Sequence, residues 1–205
     1  MLLAFLAVPA HAQKVSLGLK GGVDFAAITR GDLAADPGYR AGFAGGGFLV
    51  TQLARNVSFM PELLYTQKGF EYEEGTDAER LRVHYIELPM LFRFSPSPDG
   101  RRVVPFAMLG PAVGLNVGCR MEAEGLNLDI ETDCEKAGGA KDVEFSGAAG
   151  IGTDFVLKRG VLSLDARYGY GFTKVLEEGD FHNSVFTIML GYRMGVKQET
   201  VALTR

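Results

Sequence analysis

The sequence predicts an all-β fold, an eight-stranded antiparallel up-and-down transmembrane β-barrel. Eight segments alternate apolar and polar residues with a period of two, which is the period of a β-strand. Short and long connections between these segments alternate strictly along the chain, as they do in barrels of the outer membrane. In the clearest segments, the charged residues all lie on one face of the strand. The opposite, apolar face is therefore available to contact lipid.

The composition argues against two classes of protein. A formal net charge of −4 is the wrong sign for a nucleic-acid binder, which carries an excess of Lys and Arg. The longest apolar run falls far short of the roughly 20 residues that a transmembrane helix needs. Glycine accounts for 27 of the 205 residues, nearly twice the average of about 7%, and suits strands that pack closely around a small barrel.

The first 12 residues predict a signal peptide. They are apolar and end in Ala10-His11-Ala12, which matches the A-x-A pattern of a cleavage site. No Lys or Arg precedes Lys14, so the basic start of a typical signal peptide is missing. A buried first strand is the alternative. We expect residues 13–196 to form the barrel and residues 197–205 to form a short polar tail.

The first four strands are predicted at residues 15–25, 40–50, 57–70 and 82–94. The first alternates its apolar residues with Lys20 and other polar residues. The second is Gly-rich and alternates only weakly. The third places Glu62 and Lys68 opposite its apolar face, and the fourth does the same with its own charged residues, Glu87 and Arg93. Each pattern fits a strand with one apolar and one polar face.

The last four strands are predicted at residues 103–117, 143–157, 161–173 and 184–196. The fifth and sixth are Gly-rich and weak in alternation. The seventh is the clearest of all, because Leu164 and its apolar neighbours lie opposite Asp165 and Arg167. The eighth repeats this pattern, with Phe186 on the apolar face and Arg193 on the polar face. Together the eight segments suffice for a small barrel.

The connections predict which end of the barrel faces outward. Three are short turns that contain Asn, Pro, Asp-Gly or Arg-Gly, near residues 51–56, 95–102 and 158–160. Four are longer and mostly polar or acidic, near residues 26–39, 71–81, 118–142 and 174–183. Outer-membrane barrels have brief periplasmic turns and long external loops. We therefore expect the long connections to lie outside the cell.

Nine charged residues share the polar faces of the predicted strands. They carry five positive and four negative charges, a near balance that suits a closed network of ion pairs. Side chains just fill the interior of an eight-stranded barrel. We expect these nine to occupy the lumen as pairs, because an unpaired buried charge is costly. They are Lys20, Asp24, Glu62, Lys68, Glu87, Arg93, Asp165, Arg167 and Arg193.

The same alternation also fits a soluble, ligand-binding barrel of opposite orientation, with its apolar face inside and its charges in water. Aromatic residues cluster at the ends of the apolar faces, for example Tyr168, Tyr170 and Phe172. Such clusters are typical of the interfacial girdles of membrane barrels, and they favour the membrane orientation. A filled lumen predicts no conducting pore. A narrow porin for small solutes remains an alternative.

The two cysteines, Cys119 and Cys134, flank a polar stretch and have 14 residues between them. Disulfides form in the oxidising compartments that exported proteins reach. We therefore predict a disulfide between Cys119 and Cys134.

Sequence motifs for chemistry are scarce. No G-x-S-x-G, H-E-x-x-H, P-loop or G-x-G-x-x-G pattern occurs. We predict a protein that is not an enzyme and has no catalytic residues, no cofactor and no metal site. His182 and Ser184 lie two apart on one face of the last strand, and leave an outer-membrane lipid hydrolase as a further alternative.

Several runs of residues match one known family in order along the chain. The run PELLYTQKG at 61–69 resembles the family's PELLYSQKG element, and YIELPML at 85–91 is similar to its YLEIPLLLK strand. The family is the PorT-like outer-membrane β-barrel family, often labelled "porin family". The match continues with GLKGGVDF at 18–25, GPAVG at 110–114, FSGAAG at 145–150, LDARYG at 164–169 and LGYRM at 190–194.

The resemblance implies an eight-stranded outer-membrane barrel of a family mostly without assigned activity. We expect a monomer in the outer membrane of a gram-negative-type cell envelope, in contact with outer-membrane lipid and not with nucleic acid. We expect its role to be envelope integrity or surface interaction. A partner outside the cell would then be contacted through loops 71–81 and 118–142.

Overall fold

The computed structural model describes residues 15–30, 40–74, 77–96, 101–125, 128–133, 143–173 and 181–194. The predicted signal peptide and tail lie outside these residues. No helix among them is long and apolar enough to cross a membrane. They form nine strands: β1 (Val15–Arg30), β2 (Arg40–Ala54), β3 (Val57–Glu74), β4 (Asp77–Phe94), β5 (Val103–Gly125), β6 (Leu128–Asp133), β7 (Val143–Val156), β8 (Gly160–Gly171) and β9 (Phe181–Met194).

Eight of these strands close into an antiparallel barrel. They pair in the order β1–β2–β3–β4–β5–β7–β8–β9, and β9 pairs back with β1. The remaining strand, β6, pairs with the far end of β5 and lies outside the ring. Closure gives each strand of the ring a partner on both sides, and this is what allows a β-sheet to lie in lipid. The predicted eight-stranded, all-β barrel is confirmed.

The two faces of each strand meet different surroundings. In β1, Leu17 and Leu19 are 64% and 72% exposed on the outside of the barrel. On the opposite face of β1, Lys20 and Asp24 are buried in the lumen. Leu164 on β8 and Phe186 on β9 are likewise exposed on the outside, and Asp165 and Arg167 are likewise buried inside. A soluble barrel with an internal ligand would have the reverse arrangement, so that alternative is wrong.

Strands continue into all four connections that the sequence predicts as long loops. The predicted loop 71–81 lies almost wholly in paired strands, since Glu71 pairs with Arg80 and Glu74 pairs with Asp77. The predicted loop 118–142 contains the end of β5 and all of β6. The loop prediction is therefore wrong for these residues. The loop prediction rests on the polar and acidic composition of these residues, which a strand that extends into water shares with a loop.

These extensions form a four-stranded sheet that we call the outer wall. It consists of residues 70–74 of β3, 77–82 of β4, 118–125 of β5 and 128–133 of β6. The strand β5 has 23 residues, whereas about 9–11 suffice to cross a membrane. The outer wall therefore projects beyond the membrane at the end of the barrel opposite the short turns.

The other end of the barrel carries the short connections. The β2–β3 turn is Arg55-Asn56, and the β7–β8 turn spans residues 157–159. The β4–β5 connection spans 95–102, of which 97–100 lie outside the described residues. Short turns mark the periplasmic end of an outer-membrane barrel. We call this the inner end and the opposite end the outer end.

Candidate functional site

The structure places all nine sequence-predicted charged residues on the lumen side of the barrel. Seven are buried, and Glu87 and Arg193 are half-buried. The nine do not form one cluster. Successive inward positions on one strand lie at different heights, so the charges separate into central, outer and inner clusters along the barrel axis.

The central cluster consists of Lys20, Glu62, Asp165 and Arg167. The Lys20 Nζ atom lies 2.8 Å from Glu62 Oε1 and 3.1 Å from Asp165 Oδ2. Arg167 donates to Glu62 Oε2 at 2.7 Å and to Asp165 Oδ1 at 2.9 Å. Each cation thus contacts both carboxylates. The cluster joins β1, β3 and β8 across the lumen.

Glycines on the neighbouring strands leave room for the side chains of this cluster. Lys20 lies opposite Gly46 on β2 and Gly191 on β9, so its side chain has space in the lumen. Arg167 lies opposite Gly150 on β7. A Cβ atom at Gly150 would lie only 2.8 Å from the Arg167 Cβ atom. The Gly-rich strands therefore position the two cations.

The central cluster is electrically balanced, with two positive and two negative side chains. Glu62 is only 1% exposed, so bulk water does not stabilise its charge. A buried pair of this kind offsets its own desolvation only with good geometry and full hydrogen bonding. Removing one partner leaves an uncompensated charge and costs about 3–5 kcal/mol. The cluster is thus a closed unit rather than a set of independent residues.

The inner cluster is centred on Asp154, which the sequence analysis did not select. Its carboxylate accepts hydrogen bonds from Arg93, from Arg193 at 2.7 Å and from the Ser163 hydroxyl at 2.6 Å. The Arg93 guanidinium also lies 3.6 Å from the centroid of the Phe106 ring. The cluster has two cations for one carboxylate.

The outer cluster is centred on Lys68. Its ammonium group contacts the carboxylate of Glu87 and lies 3.3 Å from that of Glu144. Asp24 lines the same part of the lumen and accepts a hydrogen bond from the Thr187 hydroxyl. The outer cluster therefore has three carboxylates for one cation.

A small cavity of about 50 Å³ adjoins the outer cluster. Asp24, Lys68 and Glu144 contribute to its lining, together with Thr66. The Thr66 hydroxyl is buried and has no protein partner among the described residues. A cavity of this size and polarity suits a few ordered water molecules and is far smaller than the roughly 300–1,000 Å³ of ligand pockets.

Among the residues that the structure describes, Glu144 and Asp154 are lumen charges that the sequence analysis missed. Both lie on β7, whose Gly-rich sequence alternates weakly. A signal was nevertheless present, because both occupy even positions and Val143, Phe145 and Ile151 occupy odd ones. Their even residue numbers alone place both side chains on the face opposite the apolar residues, which is the lumen face.

Apolar side chains fill the lumen between the charged clusters. One apolar cluster consists of Phe48, Val50, Met60, Leu91, Phe106 and Met108. Leu91 and Met189 have no exposed surface at all. In an open, water-filled pore such lumen residues would be exposed. The interior is therefore a packed core of mixed polarity rather than the polar core that the nine charges predict.

Three further sequence predictions concern residues near the outer end. The Cys119 side chain and the whole of Cys134 lie outside the described residues, so their disulfide stays a prediction. The His182 side chain also lies outside them. Ser184 is half-buried and shares the strand parity of lipid-facing Phe186. The described residues contain no group of three or more His, Cys, Asp or Glu side chains suited to a metal ion.

Comparison with known proteins identifies a family. Residues 11–177 match the family described as "Outer membrane protein beta-barrel domain". No curated protein matches the chain.

Solved outer-membrane barrels are similar to the chain at low sequence identity. OprG from Pseudomonas aeruginosa is 12% identical with a TM-score of 0.48, over 89% of this chain and 96% of that one. Neisserial surface protein A is 14% identical with a TM-score of 0.47, over 86% and 97%. Ail of Yersinia pestis, solved in complex with the heparin analogue sucrose octasulfate, is 15% identical with a TM-score of 0.45, over 87% and 98%.

The central cluster predicts that removing one charge lowers the free energy of unfolding more than removing an oppositely charged pair does. Arg167→Ala leaves Lys20 alone with two buried carboxylates, so we expect it to lower the free energy of unfolding by about 3 kcal/mol. The double variant Asp165→Val/Arg167→Met leaves the neutral pair Lys20–Glu62. We expect it to unfold within about 1 kcal/mol of wild type.

Urea titrations of the folded barrel in lipid vesicles measure both variants. Equal effects of the two variants, or a larger effect of the double variant, would show that the cluster is not buried and paired.

Proposed function

The chain belongs to the outer membrane protein beta-barrel domain family and lies in the outer membrane; from that premise we propose that it is a closed, non-enzymatic barrel of the PorT-like kind. On this proposal its outer wall contacts partners outside the cell or supports the integrity of the envelope. The packed lumen is the observation that carries the proposal.

A closed lumen is supported from the centre of the barrel to its inner end. At the centre, Glu62 is held by Lys20 and Arg167. Towards the inner end, Arg93 and Asp154 pair across the lumen. Between these levels lie the apolar side chains of the packed core. The charges of the central cluster are fully paired with one another, which supports a structural role for them rather than a catalytic or conducting one.

The outer wall offers the surface for a role outside the cell. Its sequence, over residues 71–82 and 119–133, contains ten acidic residues and three arginines. A surface with this excess of negative charge attracts positively charged partners and repels negatively charged ones. We therefore propose a partner with a basic surface, or an envelope component that presents cations.

We predict that the wild-type protein is silent in planar lipid bilayers. The packed side chains between the central and inner clusters leave no path for hydrated ions, as expected for an eight-stranded barrel. Single-channel recording measures this, with a sixteen-stranded porin as positive control. Reproducible conductance steps from the wild-type protein would favour the narrow-porin alternative instead.

We predict that the outer wall, and not the barrel, carries the physiological role. A variant can replace residues 72–79 and 123–130 each by Asn-Gly. These replacements join Glu71 to Arg80 and Glu122 to Glu131, which are paired in the structure, through a turn that favours hairpins. We expect this shortened variant to fold. In cells that lack the gene, we expect it to fail to restore envelope integrity, measured as vancomycin resistance, and surface adhesion.

The matched control is Ser184→Ala in the full-length protein, which we expect to restore both properties fully. Retention of the barrel is checked by its gel mobility with and without boiling. Full complementation by the shortened variant would contradict a role for the wall, whereas failure of Ser184→Ala would favour the lipid hydrolase.

A further inference from the structure

The outside of the barrel carries an apolar groove towards its inner end. Phe94, Pro105, Ala107, Ile151 and Leu164 contribute to its lining. The groove has a volume of about 710 Å³, within the roughly 300–1,000 Å³ of sites that hold small molecules. It lies on the face that contacts lipid, so the molecules that reach it first are lipids.

Strand register explains why the surface is recessed there. Phe94, Ala107, Ile151, Ala166 and Ile188 are successive cross-strand neighbours on β4, β5, β7, β8 and β9. Large and small side chains alternate along this row. Each alanine therefore lies in a depression between two larger neighbours, where an acyl chain can make close van der Waals contact on both sides.

A basic patch lies at the inner end of the same strands. It consists of Arg101 and Arg102 before β5, and of Lys158 and Arg159 in the β7–β8 turn. All four side chains are exposed. The Val156 N–H donates to the Arg102 carbonyl at 2.8 Å, so the two connections meet side by side.

The basic patch is locally unbalanced in charge. Within residues 95–102 and 157–160, the sequence contains a single acidic residue, Asp99. The β2–β3 turn at the same end has a single cation, Arg55. Four cations are thus concentrated below the groove, at the level where the headgroups of the inner leaflet meet the barrel.

We propose that the groove and the basic patch together form a binding site for one anionic phospholipid of the inner leaflet. An acyl chain lies in the groove along β5 and β7, and the phosphate accepts hydrogen bonds from the arginines. Guanidinium groups suit this role because their planar N–H donors match the geometry of a phosphate. Each cation near the headgroup adds to the preference for anionic over zwitterionic lipid.

Native mass spectrometry of the whole barrel tests the proposal. The protein is released from detergent micelles that contain either phosphatidylglycerol or phosphatidylethanolamine with identical acyl chains. We expect wild-type barrel to retain phosphatidylglycerol about tenfold more than phosphatidylethanolamine. The patch variant Arg101→Gln/Arg102→Gln/Lys158→Gln/Arg159→Gln is expected to lose this preference.

A second variant tests the contribution of the groove separately from that of the basic patch. Ala107→Phe fills the groove and leaves the patch intact, so we expect it to lower phosphatidylglycerol retention about tenfold as well. Its matched control is Ala149→Phe, an exposed lipid-facing position on β7 outside the residues that line the groove. Arg55→Gln is the control for the patch. Both controls should bind as wild type does.

Three outcomes would overturn the proposal. They are equal retention of the two lipids by wild type, an unchanged preference in the patch variant, and full retention by Ala107→Phe. Full retention by Ala107→Phe would mean that the basic patch attracts anionic headgroups by charge alone and that the groove does not hold an acyl chain. None of these results depends on whether the lumen conducts or the outer wall binds a partner.

Discussion

Four charges meet at the middle of the lumen, where neither lipid nor bulk water can stabilise them. Lys20 and Arg167 each contact both Glu62 and Asp165, so the charge of every member is balanced by its neighbours. The other features of the barrel depend on this balance. It requires β1, β3 and β8 to be held at fixed heights around one axis, and only a closed ring of strands with a single register does so.

The same register determines what the outside of the barrel presents. Because side chains alternate between faces, a slip of one residue would move lumen charges into lipid and apolar residues into the lumen. The energetic penalty for such a slip is large on both faces at once. Glycines contribute to the same outcome, since Gly46, Gly191 and Gly150 leave the lumen space in which Lys20 and Arg167 pair. The weakly alternating, Gly-rich segments of β2 and β7 therefore contribute to the lumen by leaving space for its charged side chains.

Much of this architecture could be predicted from the sequence, because period-two alternation is a local property. The number of strands in the ring follows from it, and the aromatic clusters add the orientation that places nine charges in the lumen. The pairing partners could not be predicted in this way. Lys20 contacts Asp165, which is 145 positions away in sequence, and only the closed ring brings the two together. The outer wall could not be predicted from composition, because its polar and acidic residues suit a strand in water as well as a loop, even though residues 128–133 keep the period-two alternation.

The balance at the centre of the lumen is tested most directly by a double-mutant cycle. Glu62→Leu, Arg167→Met and the double variant are unfolded in lipid vesicles, and their free energies of unfolding are compared with that of wild type. Direct contact in a buried setting predicts a coupling energy of about 1.5 kcal/mol or more. A coupling energy within about 0.5 kcal/mol of zero would mean that the two side chains act independently, and would contradict the account.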